Sequence, residues 1–298
     1  MNIYNIKNKS LDYLSLIRIH QWFKNLLIVL PILTTQKTLL VNDYWNLFYL
    51  FITFSLVSSL VYIFNDLIDQ KNDSKHPIKK NKPIAKKNIN SYETFTIIFI
   101  IIIFLLIIFT QKIINNSNIN LIITYFISSI AYSLFIKKIK YVDILFISSF
   151  YVIRLMCGVN EIEENISNLI YIQIYIASLF ILICKRYSDL VYTSDYKNII
   201  NVYNNSNKTL IILINFLLVT NIIIYLLITN SDYLLQKYGD KPYFITTIFV
   251  AVSFFKYRQY TLNKHNTIDP VKTLFKSKTL ILSNILWVLS IFILNNLW

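Results

Sequence analysis

The chain has 298 residues, 55% of them hydrophobic and 15% charged, with a mean hydropathy of +0.52, a composition that belongs to an integral membrane protein rather than to a pair of soluble domains. Two glycines, Gly158 and Gly239, exclude phosphate sites built on glycine-rich loops, the P-loop and the dinucleotide fingerprint alike. A formal charge of +14, from 29 Lys and Arg against 15 Asp and Glu, points in a membrane chain to cytoplasmic loops and phosphate-bearing partners rather than to nucleic acid.

In chain order, residues 11–19 read as an interfacial helix, and no long apolar run precedes the first span, so no cleavable signal peptide is expected. Nine segments then approach the length and apolarity of a bilayer-spanning helix: 22–35, 45–64, 92–110, 121–136, 142–159, 169–184, 210–229, 243–255 and 280–297. Pro31 interrupts the first, and Lys256 with Arg258 shortens the eighth, so eight spans is the alternative count. The expected fold is an all-α bundle forming one domain over residues 1–298. Cys157 and Cys184 lie in apolar runs that suggest neither a disulfide nor a thiolate zinc site, which leaves oxygen ligands for any metal.

Basic residues should collect on the cytoplasmic loops. Nearly all of them fall on one side of the nine-span arrangement; the other holds Lys37, Lys112, Lys237 and Lys241, and Arg154 lies inside the fifth span. The N-terminus is therefore expected in the cytoplasm and the C-terminus outside. A charge as deep as Arg154 normally means an interior partner or a polar cavity. Glu161, Glu163 and Glu164 are expected to be solvated on an external loop.

The most informative segment is Asn65-Asp66-Leu67-Ile68-Asp69-Gln70-Lys71-Asn72-Asp73, at the cytoplasmic end of the second span. If the helix continues there, Asn65, Asp66, Asp69 and Asp73 fall at about 0°, 100°, 40° and 80° around its axis. Carboxylates crowded on one face repel each other unless a cation sits among them, and hard oxygen ligands suit Mg²⁺ shared with a phosphate-bearing substrate. A solvated helix end is the plain alternative. The next stretch, Lys75-His76-Pro77-Ile78-Lys79-Lys80-Asn81-Lys82-Pro83, puts several ammonium groups on a proline-stiffened loop able to surround phosphate oxygens; topology signalling would produce the same lysines.

Lys185-Arg186-Tyr187-Ser188-Asp189-Leu190 follows the sixth span, with Lys185 and Asp189 on one helical face and Asp189 a candidate to complete a metal shell; basic residues here are also ordinary stop signals. Tyr132 and Lys137 end the fourth span on the same side, where tyrosine is also an interface residue. Gln21-Trp22-Phe23-Lys24-Asn25 opens the first span, either as an anchor or as the lining of a cavity mouth.

Taken together, these residues resemble the UbiA superfamily of intramembrane transferases, whose first aspartate motif, N-D-x-x-D-x-x-x-D, is matched at every position from Asn65 to Asp73. Gln21 to Asn25, His76-Pro77-Ile78-Lys79 and Lys185 to Leu190 are similar to the branch that transfers phosphoribose to polyprenyl phosphate, the decaprenyl-phosphate phosphoribosyltransferase type. Asp189 and Asp195 are spaced wrongly for the second aspartate motif of ordinary prenyltransferases, which favours that branch; Lys82-Pro83 stands where the branch tends to have Arg-Pro, and Ser277 where it has an acidic residue nearby. The resemblance implies nine helices and an inner-membrane enzyme with its active site facing the cytoplasm. It further implies Mg²⁺-dependent transfer from 5-phosphoribosyl diphosphate to a polyprenyl phosphate for cell-envelope glycan precursors. Asn65, Asp66, Asp69 and Asp73 would hold metal, with Lys185 and Asp189 also catalytic. Lys24, Asn25, Lys75, Lys79, Lys82, Tyr132, Lys137, Arg186 and Tyr187 would meet the substrates. The alternative is transfer of a prenyl group from a prenyl diphosphate to an aromatic or other small acceptor. Self-association stays open.

Overall fold

The computed structural model describes residues 3–75, 79–111, 114–193, 203, 206–263, 267 and 269–296. His76, Pro77, Ile78 and Asp195, all used in the sequence argument, lie outside the described residues. The described secondary structure is helical throughout: α1 (Ile3–Ile17), α2 (Val41–Asp73), α3 (Ser91–Thr110), α4 (Asn116–Leu134), α5 (Val142–Glu161), α6 (Asn168–Thr193), α7 (Asn207–Thr229), α8 (Asp232–Tyr238), α9 (Thr247–Leu262), α10 (Pro270–Lys276) and α11 (Lys278–Asn296).

Seven described stretches are long and apolar enough to cross a membrane: Lys9–Thr34, Val41–Asp73, Ser91–Thr110, Val142–Glu161, Asn168–Val191, Asn207–Thr229 and Lys278–Asn295. The other two expected segments coincide with α4 and α9. The latter has 16 residues against the roughly 20 that span a bilayer, and α4 opens with Asn116, Ser117 and Asn118, which dilute its apolar character. The apolar surface is arranged for lipid. On α3, Phe95, Phe99, Ile103, Phe104 and Ile107 are exposed while Ile101, Leu105 and Ile108 are buried, the reverse of a water-facing helix.

The first expected span is not an uninterrupted α-helix. The α1 helix ends at Ile17, Arg18 takes a left-handed backbone (φ 55°, ψ 47°), and the chain continues as 3₁₀ helices over Ile19–Ile28 and Leu30–Thr34. Pro31 explains the second break, because it lacks an N–H donor and its ring clashes with the carbonyl one turn back.

The chain separates into two compact units, Met1–Pro31 with Gln36–Lys137 and Ile153–Glu164, and Ile32–Thr35 with Lys138–Val152 and Asn165–Trp298. In the first, α2 is the hub, with α1, the Ile19–Ile28 segment, α3 and α4 packed on it. Its buried face carries Thr53, Ser55, Ser58 and Ser59 beside Phe54, Val57 and Val61, and such small residues let helices approach closely. Gly158 of α5 makes the tightest approach: a Cβ there would lie 1.9 Å from the carbonyl oxygen of Ile28. In the second unit, α6 packs along α7, α9 contacts both of these as well as α11, and α10 leans on α11. Phe180, Leu210, Ile214, Ile144 and Leu280 are central to its core.

Two further expectations change. Glu164 is buried rather than solvated, and Glu161 accepts from the amides of Asn118 (2.7 Å) and Asn115 (3.3 Å) at the start of α4. These asparagines open α4, with Asn115 also capping the amide of Asn118, so the half-buried Glu161 carboxylate finds donors on protein.

Candidate functional site

At 33 residues, α2 is about 50 Å long, against a hydrocarbon core of about 30 Å. The helix is therefore longer than the apolar layer is thick, and it runs unbroken to Asp73, so the four motif residues do share its face. Carboxylates in its last turns face the negative end of the helix dipole as well as one another. Cations of the same unit offset both effects.

Asp66 is buried, and its Oδ1 accepts from Arg18 Nη2 at 2.6 Å and from Lys82 Nζ at 2.7 Å. Asp73, also buried, accepts the same Lys82 ammonium at 2.6 Å. Lys82 thus bridges two carboxylates that stand two helical turns apart. Asp69 is more open and receives Lys137 Nζ at 2.7 Å. The guanidinium of Arg18 stacks on the Tyr62 ring, 4.8 Å from its centroid. The loop that delivers Lys82 is tied to α2 by Gln70 Nε2 on the carbonyl of Ile84, and Ile84 and Ile89 anchor it in the core. Asn65 is half-buried on the same turn; Lys75 and Lys79 are exposed.

No group of three or more His, Cys, Asp or Glu side chains able to hold a metal ion is found among the described residues. Mg²⁺ is usually carried by one or two carboxylates together with substrate phosphates rather than in an all-protein cage. Asp66, Asp69 and Asp73 therefore fit a cation that arrives with a phosphate ligand, and do not fit a stand-alone metal site.

The structure gives the Gln21-to-Asn25 motif a packing role on α2. Trp22 Nε1 donates to Ser59 Oγ at 3.1 Å, and Ser59 Oγ donates to the carbonyl of Ile17 at 2.8 Å. Asn25 donates to Ser55 Oγ at 2.8 Å and accepts from Arg154 Nε at 2.7 Å. Arg154 is buried, with its guanidinium 5.0 Å from the ring centroids of both Phe54 and Tyr125 and a further contact from Nη2 to the Tyr125 hydroxyl at 3.4 Å. Asn25 therefore belongs to the Arg154 network and not to the aspartate cluster; Lys24 and Tyr132 are half-buried.

A second charged group lies in the second unit. Asp143, in the first turn of α5 and buried, accepts from Arg186 Nη2 at 2.6 Å and from the Tyr203 hydroxyl. The same hydroxyl accepts from the amide of Tyr141 at 2.9 Å, and Lys140 binds Ser206 beside the Tyr203 ring. Arg186 Nη1 lies 3.7 Å from Asp189. Burial, then the hydrogen bond to Asp143 and its charge, push the Tyr203 phenol above its usual range, so it stays a neutral donor. Tyr187 packs on the core of this unit and Lys185 is half-buried.

The structure pairs the expected aspartates with Lys82 and Lys137, and pairs the expected Arg186 with Asp143; Arg18, Asp143 and Tyr203 join these clusters without having been expected there. In the sequence Arg18 is one of three Lys and Arg residues before the first span, with Lys7 and Lys9, and no motif marks it. Asp143 carried a signal, an acid directly after Lys137, Lys138 and Lys140 on the positive side.

A profile of the UbiA prenyltransferase family matches residues 28–285. The decaprenyl-phosphate phosphoribosyltransferase of Mycobacterium tuberculosis is 28% identical over 179 residues, 58% of this chain and 58% of that protein. An uncharacterised protein of Sinorhizobium fredii is 28% identical over 150 residues, 49% of this chain and 28% of that one. The chain therefore spans well under two thirds of the length of these curated relatives. A solved structure described as digeranylgeranylglyceryl phosphate synthase in membranes superposes with a TM-score of 0.60 at 17% identity, covering 97% of this chain and 98% of that one, and so shares the fold.

Proposed function

The chain belongs to the UbiA prenyltransferase family, and from that membership we propose that it transfers 5-phosphoribose from 5-phosphoribosyl diphosphate to a polyprenyl phosphate, with Mg²⁺, releasing diphosphate. The observation that carries this reading is the ion cluster of α2, three carboxylates of one motif met by Arg18, Lys82 and Lys137. Acids and bases interleaved in this way suit a diphosphate that brings its own cation. The choice of the phosphoribosyl branch is supported by the 28% identity to the mycobacterial enzyme and by the motifs at Gln21 to Asn25 and Lys185 to Leu190.

When bound, Mg²⁺ supplies positive charge where the leaving diphosphate gathers negative charge. Asp66, Asp69 and Asp73, with Asn65, are the residues that would hold it. Lys75, Lys79 and Lys82 neutralise donor phosphate oxygens, while Lys24, Tyr132 and Lys137 face substrate from the same unit. In the second unit, Lys185 and Arg186 are assigned to phosphate oxygens, Tyr187 to substrate and Asp189 to a cation. The nucleophile needs no strong base, because a lipid phosphate is already anionic at neutral pH, and substitution at the ribose C1 inverts configuration. We read the chain as one UbiA-type domain of nine spans in the inner membrane, with the N-terminus and the site on the cytoplasmic side and the C-terminus outside.

The test is donor competition with purified protein, Mg²⁺ and polyprenyl phosphate. Label from 5-phosphoribosyl diphosphate should become extractable with lipid. Consumption of a prenyl diphosphate with an aromatic acceptor instead would replace the donor assignment, and no Mg²⁺-dependent transfer with either donor would end the enzymatic reading.

A further inference from the structure

Lys82 holds together two buried carboxylates. Its ammonium lies 2.7 Å from Asp66 Oδ1 and 2.6 Å from Asp73 Oδ2, although seven residues of helix put their backbones about 10 Å apart along the axis. Asp66 and Asp73 are only 3% and 4% exposed, so water contributes little to their solvation and the cations supply it in its place, Lys82 at both and Arg18 also at Asp66. A divalent cation that takes these oxygens has to displace the ammonium. Displacing it breaks two close ion pairs on carboxylates that are almost fully desolvated, and a diphosphate that takes up the ammonium offsets that loss.

The second cation on Asp66 lacks the same freedom. Arg18 is stacked on Tyr62 and set on a left-handed backbone, and its planar fork is directional. Lys82 is a point charge on a four-carbon stem with three rotatable donors. It can turn from carboxylate to phosphate without moving the backbone.

We propose that Lys82 is a tethered counter-ion: it keeps a free divalent cation off Asp66 and Asp73 and releases them when a diphosphate takes up its ammonium, so that metal and diphosphate enter together. The inference rests on reading the aspartates as metal carriers, and it adds a binding order to that reading. An empty site would then not be loaded by cytoplasmic Mg²⁺ alone, and the internal ion pairs would return after diphosphate leaves.

The test uses the purified full chain in detergent, with Mn²⁺ as the spectroscopic probe and electron paramagnetic resonance reporting free ion. Two titrations are made, one with Mn²⁺ alone and one with a preformed Mn²⁺–diphosphate complex. Lys82→Met should bind Mn²⁺ alone at least tenfold more tightly than the unaltered protein, and the complex at least tenfold more weakly. Opposite signs are the signature, since general damage to the site would weaken both. Lys80→Met, which removes an equal charge from the same loop, should move neither affinity more than twofold, and Lys82→Arg should keep the exclusion. If thermal unfolding reports that Lys82→Met has lost its fold, Lys82→Gln, which still donates to the carboxylates, is titrated in its place. Unchanged or weaker binding of Mn²⁺ alone to the folded variant overturns the counter-ion role and leaves the metal reading standing. Absence of Mn²⁺ binding to any variant, with or without diphosphate, overturns both.

Discussion

Two regions of α2 handle charge in opposite ways. At its end, Asp66, Asp69 and Asp73 are met by full cations, two of them lysines on long stems. About 16 Å nearer its start, beside Ser55, the guanidinium of Arg154 is met by the Asn25 amide, the Tyr125 hydroxyl and two aromatic faces. Ion pairs between flexible side chains can be traded for pairs with a ligand. Short amides and rings locked in a core cannot be traded for anything. The difference separates a region built for exchange from one built to hold four segments, the Ile19–Ile28 stretch, α2, α4 and α5, in register.

The largest effect is expected where exchange is lost. Asp66→Asn keeps the shape of the side chain and removes the charge shared by Arg18 and Lys82. Transfer should fall about 10²–10³-fold, the range for losing one electrostatic contributor to a developing anion. Initial rates at saturating donor measure it, and a rate within threefold of the unaltered protein would remove Asp66 from the site.

The next effect concerns the register. Gly158→Ala would drive a Cβ to within 1.9 Å of the Ile28 carbonyl oxygen, where backbone rather than a flexible side chain must give way. The cost should reach about 3 kcal/mol, the upper range for overpacking, read as a lower unfolding temperature in detergent. Arg154→Lys is milder. It keeps the charge but loses the planar stack on Phe54 and Tyr125 and the fixed Nε donor to Asn25, at about 1–2 kcal/mol. Both variants should lose stability more than turnover per folded molecule, the reverse of Asp66→Asn, and equal losses in both quantities would blur the division between the two regions.

Much of this was legible in the chain itself. The continuous α2 follows from an apolar run leading into the Asn65-to-Asp73 motif without Pro or Gly, and the shared face of its aspartates is arithmetic on 3.6 residues per turn. The pairings were not legible, because a lysine-rich sequence offers many partners to each acid and only the path of the loop after α2 selects Lys82. The break at Arg18 had no local signal either, since no Gly or Pro stands there and the left-handed backbone is imposed by tertiary contacts. Arg154 calls for interior partners by its depth alone, but Asn25, Phe54 and Tyr125 come from three separate helical segments, and a charge census singles out none of them.

The smallest effect tests whether the second unit's Asp143 resembles the exchangeable region or the locked one. Tyr203 donates to Asp143 beside Arg186, and its phenol is pushed up from the usual 10, by burial first and then by that bond and the carboxylate's charge. The folded protein thus holds this proton more tightly than the unfolded chain does. The stabilisation linked to it is fully present below about pH 10, the unfolded value, and is lost as pH rises through the raised folded value. Tyr203→Phe should cost about 1 kcal/mol at neutral pH and remove part of the alkaline loss, so the unfolding temperatures of the two proteins converge as pH climbs past 10. A constant difference across that range would mean that Asp143 is held by Arg186 alone, and that the phenol is packing rather than a proton-bearing lock.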